Sequence, residues 1–148
     1  MDNLMTWLAR WVHVSSAAFW VGGFAVLALV IIPYLLRAPN GAVNDVAIRL
    51  VRVLSFSGLV TLLSGFTLVH LTRGFGAILR GEWGGIIIGA VVLAIALGAI
   101  GDAALRPSLR RAKDDPSQFQ RAQRLATLGL VLSLVTIALM TRAIYARS

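Results

Sequence analysis

Two histidines are the strongest candidate ligands in this chain of 148 residues, which contains no cysteine. The lack of cysteine excludes disulfides, thiolate metal sites, iron–sulfur clusters and covalent haem attachment. His13 lies early in an apolar run that continues to Pro33, and His70 lies late in a second apolar stretch. An ionisable residue inside such a run is unfavourable without a partner, so each histidine is a candidate functional residue.

Their spacing predicts that the two histidines share one depth in a membrane. His13 lies 20 residues before Pro33, and His70 lies 18 residues after Arg52. At roughly 1.5 Å per residue, both are about 27–30 Å from the same end of a helical bundle. Two neutral imidazoles at one level are the axial ligands that a b-type haem uses.

The residues around the histidines favour the same chemistry. Arg10 and Arg73 are each one turn further outward, where guanidinium groups meet haem propionates. Three small residues beside the histidines leave room for a porphyrin: Ser16, Ala17 and Thr67. Trp20 could form an aromatic wall of the site. Met140, late in the last apolar segment, could replace one histidine or join both in binding copper, because thioether and imidazole suit Cu(I).

The composition predicts that a membrane bundle positions these residues. Hydrophobic residues make up 58% of the chain and charged residues 14%, and the mean hydropathy is +0.83. This is a membrane composition with room for one domain, residues 1–148. The expected fold is an all-α integral membrane four-helix bundle with antiparallel up-down connectivity. Its helices are predicted at about 4–36, 46–72, 84–105 and 124–145.

The segments between the helices carry further predictions. Pro33 is expected near the end of the first helix, where it can cause a kink. Residues 74–83 are expected to form a loop or half-turn at the lipid interface, and residues 107–123 a long polar loop. The third helix contains small residues four apart, which predict close helix approach: Gly85 and Gly89, then Ala94 and Gly98.

Basic residues predict the orientation in the membrane. The loops after the first and third helices carry nine Lys/Arg: Arg37, Arg49, Arg52, Arg106, Arg110, Arg111, Lys113, Arg121 and Arg124. The opposite side carries five: Arg10, Arg73, Arg80, Arg142 and Arg147. This bias predicts a multi-pass protein of a bacterial inner membrane with both termini outside. The net charge of +8 therefore bears on topology and anionic lipid, and nucleic-acid binding is not expected.

The start of the first helix carries a family resemblance. His13 followed by Trp20, Gly22 and Gly23 resembles the CopD-like copper-resistance membrane family and a group of small four-helix bacterial membrane proteins. The end of the third helix, Leu105 to Arg111, is similar to the same group. The opening is also similar to HemJ-type protoporphyrinogen oxidases, which are haem-associated, and that match carries over His13 alone. The resemblance implies a membrane bundle concerned with copper or haem.

Three functions remain open from the sequence. The first is a bis-histidine b-type haem protein that transfers electrons near the outer face, with a redox protein or quinone as partner. With both axial positions filled, electron transfer at the iron is favoured over oxygen chemistry. Whether the protein is also an enzyme stays open. The second is a CopD-like copper-binding or transport protein that uses His13, His70 and Met140. The third is a cofactor-free scaffold subunit. Homodimerisation is compatible with each.

Overall fold

The computed structural model describes residues 2–79 and 81–146, which are mainly helical apart from short connections, with no strand among them. The all-helical prediction is therefore confirmed. Four helices are long and apolar enough to cross a membrane: α1 (Asn3–Arg37), α2 (Gly41–Thr72), α3 (Gly81–Arg111) and α4 (Gln118–Tyr145). A short 3₁₀ helix, Phe75–Leu79, lies between α2 and α3, in the segment predicted as an interfacial loop.

Each long helix packs against two others, α1 and α3 both lying beside α2 and α4. The main core contains large side chains with almost no exposed surface, among them Phe24, Leu27, Leu54, Leu97 and Leu105. The bundle also exposes many large apolar side chains, such as Leu29, Phe56, Leu63, Val92 and Leu134. An exposed apolar surface of this extent suits contact with lipid tails better than contact with water.

Glycines allow the closest helix contacts. A Cβ atom at Gly58 of α2 would lie 2.8 Å from the Trp20 ring of α1, and one at Gly129 of α4 would lie 2.5 Å from the Phe24 ring. In the third helix, by contrast, Cβ atoms at Gly85 and Gly98 would meet nothing within 4 Å. Close approaches thus occur around two aromatic rings of α1 and where Leu54 packs on Gly23, whereas the predicted small residues Gly85 and Gly98 make none.

Helices α1 and α3 each continue through a proline. A π-helical turn, Leu27–Ile31, precedes Pro33, and another, Ile100–Leu105, precedes Pro107. Proline has no N–H and its ring clashes with the carbonyl four residues earlier, and a wider turn accommodates both effects. Consequently α3 extends to Arg111, and the connection to α4 is shorter than the predicted polar loop.

Side-chain amides reach carbonyl groups on neighbouring helices near these turns. Gln123 Nε2 of α4 donates to the carbonyl oxygen of Ala28 in the first π-helical turn, at 2.8 Å. Asn44 Nδ2 of α2 donates to the carbonyl oxygen of Leu109, shortly after the second, also at 2.8 Å. A buried carbonyl without a partner is unfavourable, so Gln123 stabilises the first π-helical turn and Asn44 stabilises the last turn of α3.

Polar contacts also define the helix ends. Asn40 Oδ1 accepts a hydrogen bond from the Val43 N–H, which caps α2 and starts it before the predicted residue 46. The ion pair Lys113–Asp45, 2.7 Å, joins the ends of α2 and α3. At the other end of the bundle, Arg142 of α4 lies 2.7 Å from Glu82 of α3.

Candidate functional site

The His13 side chain is half-buried between α1 and α2. Its Nδ1 atom lies 2.9 Å from the carbonyl oxygen of Thr61 and 3.3 Å from Ser64 Oγ. Because a carbonyl oxygen can only accept, the Thr61 contact requires the proton on Nδ1. The neutral ring then has Nε2 as its free lone pair, which is the atom that a metal would use.

Hydroxyl groups surround this contact and join the same two helices. Thr61 Oγ1 lies 2.9 Å from Ser16 Oγ of α1, and Ser57 Oγ donates to the Ser16 carbonyl oxygen at 2.9 Å. Ser64 Oγ donates within its own helix to the Val60 carbonyl oxygen at 2.7 Å. The site is therefore a polar cluster at an otherwise apolar interface, and we call Ser16, Ser57, Thr61 and Ser64 with His13 the α1–α2 polar cluster.

Three members of the cluster were missed by reasoning from the sequence, although their spacing carries a signal. Ser57, Thr61 and Ser64 follow one another at intervals of four and three residues, which places them on one helix face. All three are buried. Hydroxyl-bearing residues on one face of an apolar helix are typical of an interhelical hydrogen-bonding surface.

Gly65 allows the imidazole to lie close to the α2 backbone. A Cβ atom at this position would be 3.1 Å from His13 Cε1 and 3.3 Å from His13 Nδ1. The ring therefore lies against α2 through its Cε1–Nδ1 edge. Nε2 lies on the remaining side of the ring, away from the Thr61 carbonyl.

His70 lies elsewhere on α2. Its ring is exposed and stacks on Phe75 of the 3₁₀ helix, with centroids 5.6 Å apart. His70 is five residues beyond Gly65, which corresponds to a rotation of about 140° and a rise of roughly 7.5 Å along the helix. The α2 surface that carries His70 thus differs from the one that contacts His13, and no hydrogen bond or ring contact among the described residues joins the two imidazoles.

The other predicted site residues divide between the cluster and the surface. Ser16 belongs to the α1–α2 polar cluster, Ala17 is half-buried beside it in sequence, and Trp20 is buried against Gly58. Thr67 is exposed, and its hydroxyl donates to the Leu63 carbonyl oxygen of its own helix.

The two predicted propionate partners are both exposed. The Arg73 guanidinium lies over the Trp83 ring, 4.9 Å from the ring centroid, in a cation–π contact. Arg10 forms no ion pair with a described residue. Among the described residues, neither arginine forms a hydrogen bond with His13.

Met140 packs in a small second core with Val69, Trp83 and Ile86. In residues 2–79 and 81–146, no group of three or more His, Cys, Asp or Glu side chains is placed to hold a metal ion. Met140 therefore has an evident packing role at that end of the bundle.

The fit to a b-type haem is partial. An axial histidine usually donates its second ring N–H to a carbonyl or carboxylate, and His13 makes such a bond with Thr61. The second predicted ligand, His70, lies on a different side of α2 in this conformation. The donor that the structure offers to one iron is thus a single, oriented imidazole.

The sequence matches no protein-family model, and comparisons with curated proteins and with solved structures give no match.

Proposed function

We propose that the chain is a multi-pass protein of the bacterial inner membrane, an antiparallel up-down bundle with both termini outside. Contacts between α1 and α2 support the antiparallel arrangement, because partners run in opposite order: Ser16 with Ser57, and Gly23 with Leu54. The excess of basic residues at the ends of α1 and α3 supports the orientation.

We further propose that the protein binds one b-type haem through His13 and carries electrons near the outer face, to or from a redox protein or quinone. The observation that carries this proposal is the bond between His13 Nδ1 and the Thr61 carbonyl oxygen. It orients the ring and leaves Nε2 as the ligand atom. The haem, when bound, would supply one-electron chemistry at the iron.

His70 is the proposed second ligand. Its present contact with Phe75 is on the exposed side of α2, so bis-histidine ligation requires the last turn of α2 to reorient. That turn ends just before Gly74, whose φ of +74° marks the break in the helix. If the turn stays as it is, His13 alone would give a five-coordinate iron.

An absorption spectrum of the purified protein, oxidised and then dithionite-reduced, tests the proposal. We expect a Soret band and a reduced α-band, lost in His13→Ala. His70→Ala is the matched variant: conversion from six- to five-coordinate spectra would assign His70 to the iron, and an unchanged spectrum would assign His13 alone. A colourless wild-type protein that stays colourless after reconstitution with haem would overturn haem binding.

A second function is favoured by the α1–α2 polar cluster. His13, Ser16, Ser57, Thr61 and Ser64 bond to one another or to the backbone, so the cluster can act purely as an interhelical lock. The protein would then be a cofactor-free scaffold subunit. A colourless, metal-free protein in which His13→Asn keeps the fold, by substituting one hydrogen-bonding side chain for another, would favour this function.

A further inference from the structure

A cavity of about 160 Å³ lies among α1, α2 and α3, separate from the polar cluster. Its apolar walls include Leu59 and Leu62 of α2, and Ala94, Ile95 and Gly98 of α3. Leu59 and Ile95 are 52% and 60% exposed, so the cavity opens on the surface of the bundle. Pockets for whole small molecules are usually about 300–1,000 Å³, so this cavity suits a segment of a chain.

The cavity becomes polar at one end. Ser55 and Asp102 line it there, and Asp102 lies in the π-helical turn of α3, with Arg106 3.3 Å from its carboxylate. Arg52 is exposed and lies one turn beyond Ser55, roughly 4.5 Å further toward the basic end of the bundle. The apolar cavity therefore leads to charged groups, which is the arrangement that suits a lipid with an acyl chain and a charged headgroup.

The charged end is strongly basic. Nine Lys/Arg lie at the ends of α1 and α3 and the starts of α2 and α4. The same end of the bundle has four acidic residues, so its net charge is +5. The acidic residues are Asp45, Asp102, Asp114 and Asp115. Lys113 and Arg106 form ion pairs, and the other seven, all arginines, form none with a described residue. Arginine binds phosphate through its planar fork of N–H donors.

We propose that the groove between α2 and α3 binds one anionic phospholipid. One acyl chain lies in the cavity against Leu59, Leu62 and Ile95, and the phosphate is held by Arg52. The Asp102–Arg106 pair lies beside the headgroup, where the carboxylate can accept a hydrogen bond from a headgroup hydroxyl. This inference depends on membrane insertion and is independent of any haem.

Gly98 provides the sharpest variant. Gly98 lines the cavity and a Cβ atom there would meet nothing within 4 Å, so we expect the Gly98→Leu side chain to occupy the cavity. Gly85→Leu is the matched control, because Gly85 is also open, lies in the same helix and is outside the cavity. For the phosphate, Arg52→Gln is compared with Arg121→Gln, an exposed arginine at the start of α4.

Delipidated protein in detergent is titrated with phosphatidylglycerol, phosphatidylcholine or inorganic phosphate, and bound lipid is counted by native mass spectrometry. We expect one phosphatidylglycerol per chain. In Gly98→Leu, the leucine should exclude about two methylene groups of the acyl chain from the cavity. At about 0.8 kcal/mol for each CH₂, the binding of phosphatidylglycerol should weaken roughly tenfold. Arg52→Gln should weaken it roughly fivefold. Both controls should bind like the wild type.

Equal binding of phosphatidylglycerol and phosphatidylcholine would overturn the proposal, as would unchanged lipid binding by Gly98→Leu. Inorganic phosphate that occupies the protein as tightly as the lipid would point to a free-phosphate site and equally contradict it. If Gly98→Leu does not fold, Arg52→Gln decides, because that side chain is exposed: lipid binding equal to that of Arg121→Gln would refute the assignment.

Discussion

The side-chain amide of Gln123 in α4 lies 2.8 Å from the carbonyl oxygen of Ala28 in α1, 95 positions earlier in the chain. Ala28 belongs to the π-helical turn that precedes Pro33. The amide thus pairs with a buried backbone group at an irregularity in α1 and joins the first and last helices.

We expect Gln123→Met to lower the free energy of unfolding by about 1 kcal/mol, the net value of one hydrogen bond. The effect is limited because Gln123 Oε1 is itself buried without a partner, and the substitution also removes that atom. Thermal unfolding in detergent measures the change. Gln120→Met, an exposed position one turn earlier, is the control and should behave like the wild type. Equal stability of the two variants would show that the Gln123 amide brings no net stabilisation.

Thr61→Val tests the α1–α2 polar cluster independently of any cofactor. The substitution keeps the size of the side chain and removes the hydroxyl that contacts Ser16 Oγ and the Ser57 carbonyl oxygen. Interhelical hydrogen bonds in membranes average about 0.6 kcal/mol, so we expect a loss of roughly 0.5–1.5 kcal/mol in unfolding free energy. Thr67→Val removes an exposed hydroxyl bonded within its own helix, and it should have less effect.

Gly58→Ala tests the close approach of α1 and α2. The new methyl group would lie 2.8 Å from the Trp20 ring, which is too close and must push the ring aside. We expect destabilisation by about 1–3 kcal/mol, as for other overpacked cores. Gly22→Ala is the control because its Cβ atom would meet nothing within 4 Å. It should be neutral or stabilising by up to about 1 kcal/mol, since alanine favours helix.

The ion pair Glu82–Arg142 joins α3 to α4 at the end of the bundle that contains His70. Both side chains are about half exposed, so we expect the coupling energy to be below about 1 kcal/mol and to fall as salt is added. A double-mutant cycle with Glu82→Gln and Arg142→Gln, at low and high ionic strength, measures it. A coupling energy unchanged by salt would contradict a screened surface pair.

The connection between α3 and α4 should respond to acid. Hydrogen bonds from Ser117 and Gln118 hold the pKa of Asp115 below its ordinary value. Because the folded-state pKa is depressed, the stabilisation is present above the ordinary aspartate pKa and is lost as the pH falls through the lower, folded-state pKa. A carboxyl titration followed by NMR measures the shift. In Ser117→Ala with Gln118→Ala, the Asp115 pKa should rise part of the way, because the Ser117 backbone N–H still donates to Asp115 Oδ1. A pKa unchanged from the wild type would show that the two side chains do not lower it.

The sequence was a good guide to the helices and a weaker guide to their ends. Four long apolar runs predict four helices because each run must satisfy its backbone within itself. The predicted end of α3, residue 105, is too early, because Pro107 normally stops a helix and the compensating π-helical turn has no sequence signature of its own. The predicted start of α2, residue 46, is too late because Asn40, in the predicted turn, caps a helix that begins at Gly41.

The sequence predicts two residues of the polar cluster, His13 and Ser16, but it pairs His13 with His70 by depth alone. His13 was singled out as an ionisable residue in an apolar helix, and it does lie half-buried at a helix interface. The pairing with His70 rests on depth, which gives position along a helix and says nothing of rotation around it. The rotation of about 140° separating His70 from Gly65 follows from counting residues once the interface is known.

The wide turns in α1 and α3 have a mechanical consequence for the halves they separate. Each such turn accommodates an additional residue, so the half before it is rotated relative to the half after it, compared with an uninterrupted helix. Removing one residue from Leu27–Ile31 would therefore swing the His13 half by about 100° while leaving Leu35 in place. The rotation that turns the imidazole toward Thr61 is thus set by the π-helical turn about four helical turns away, near a proline that contacts neither residue.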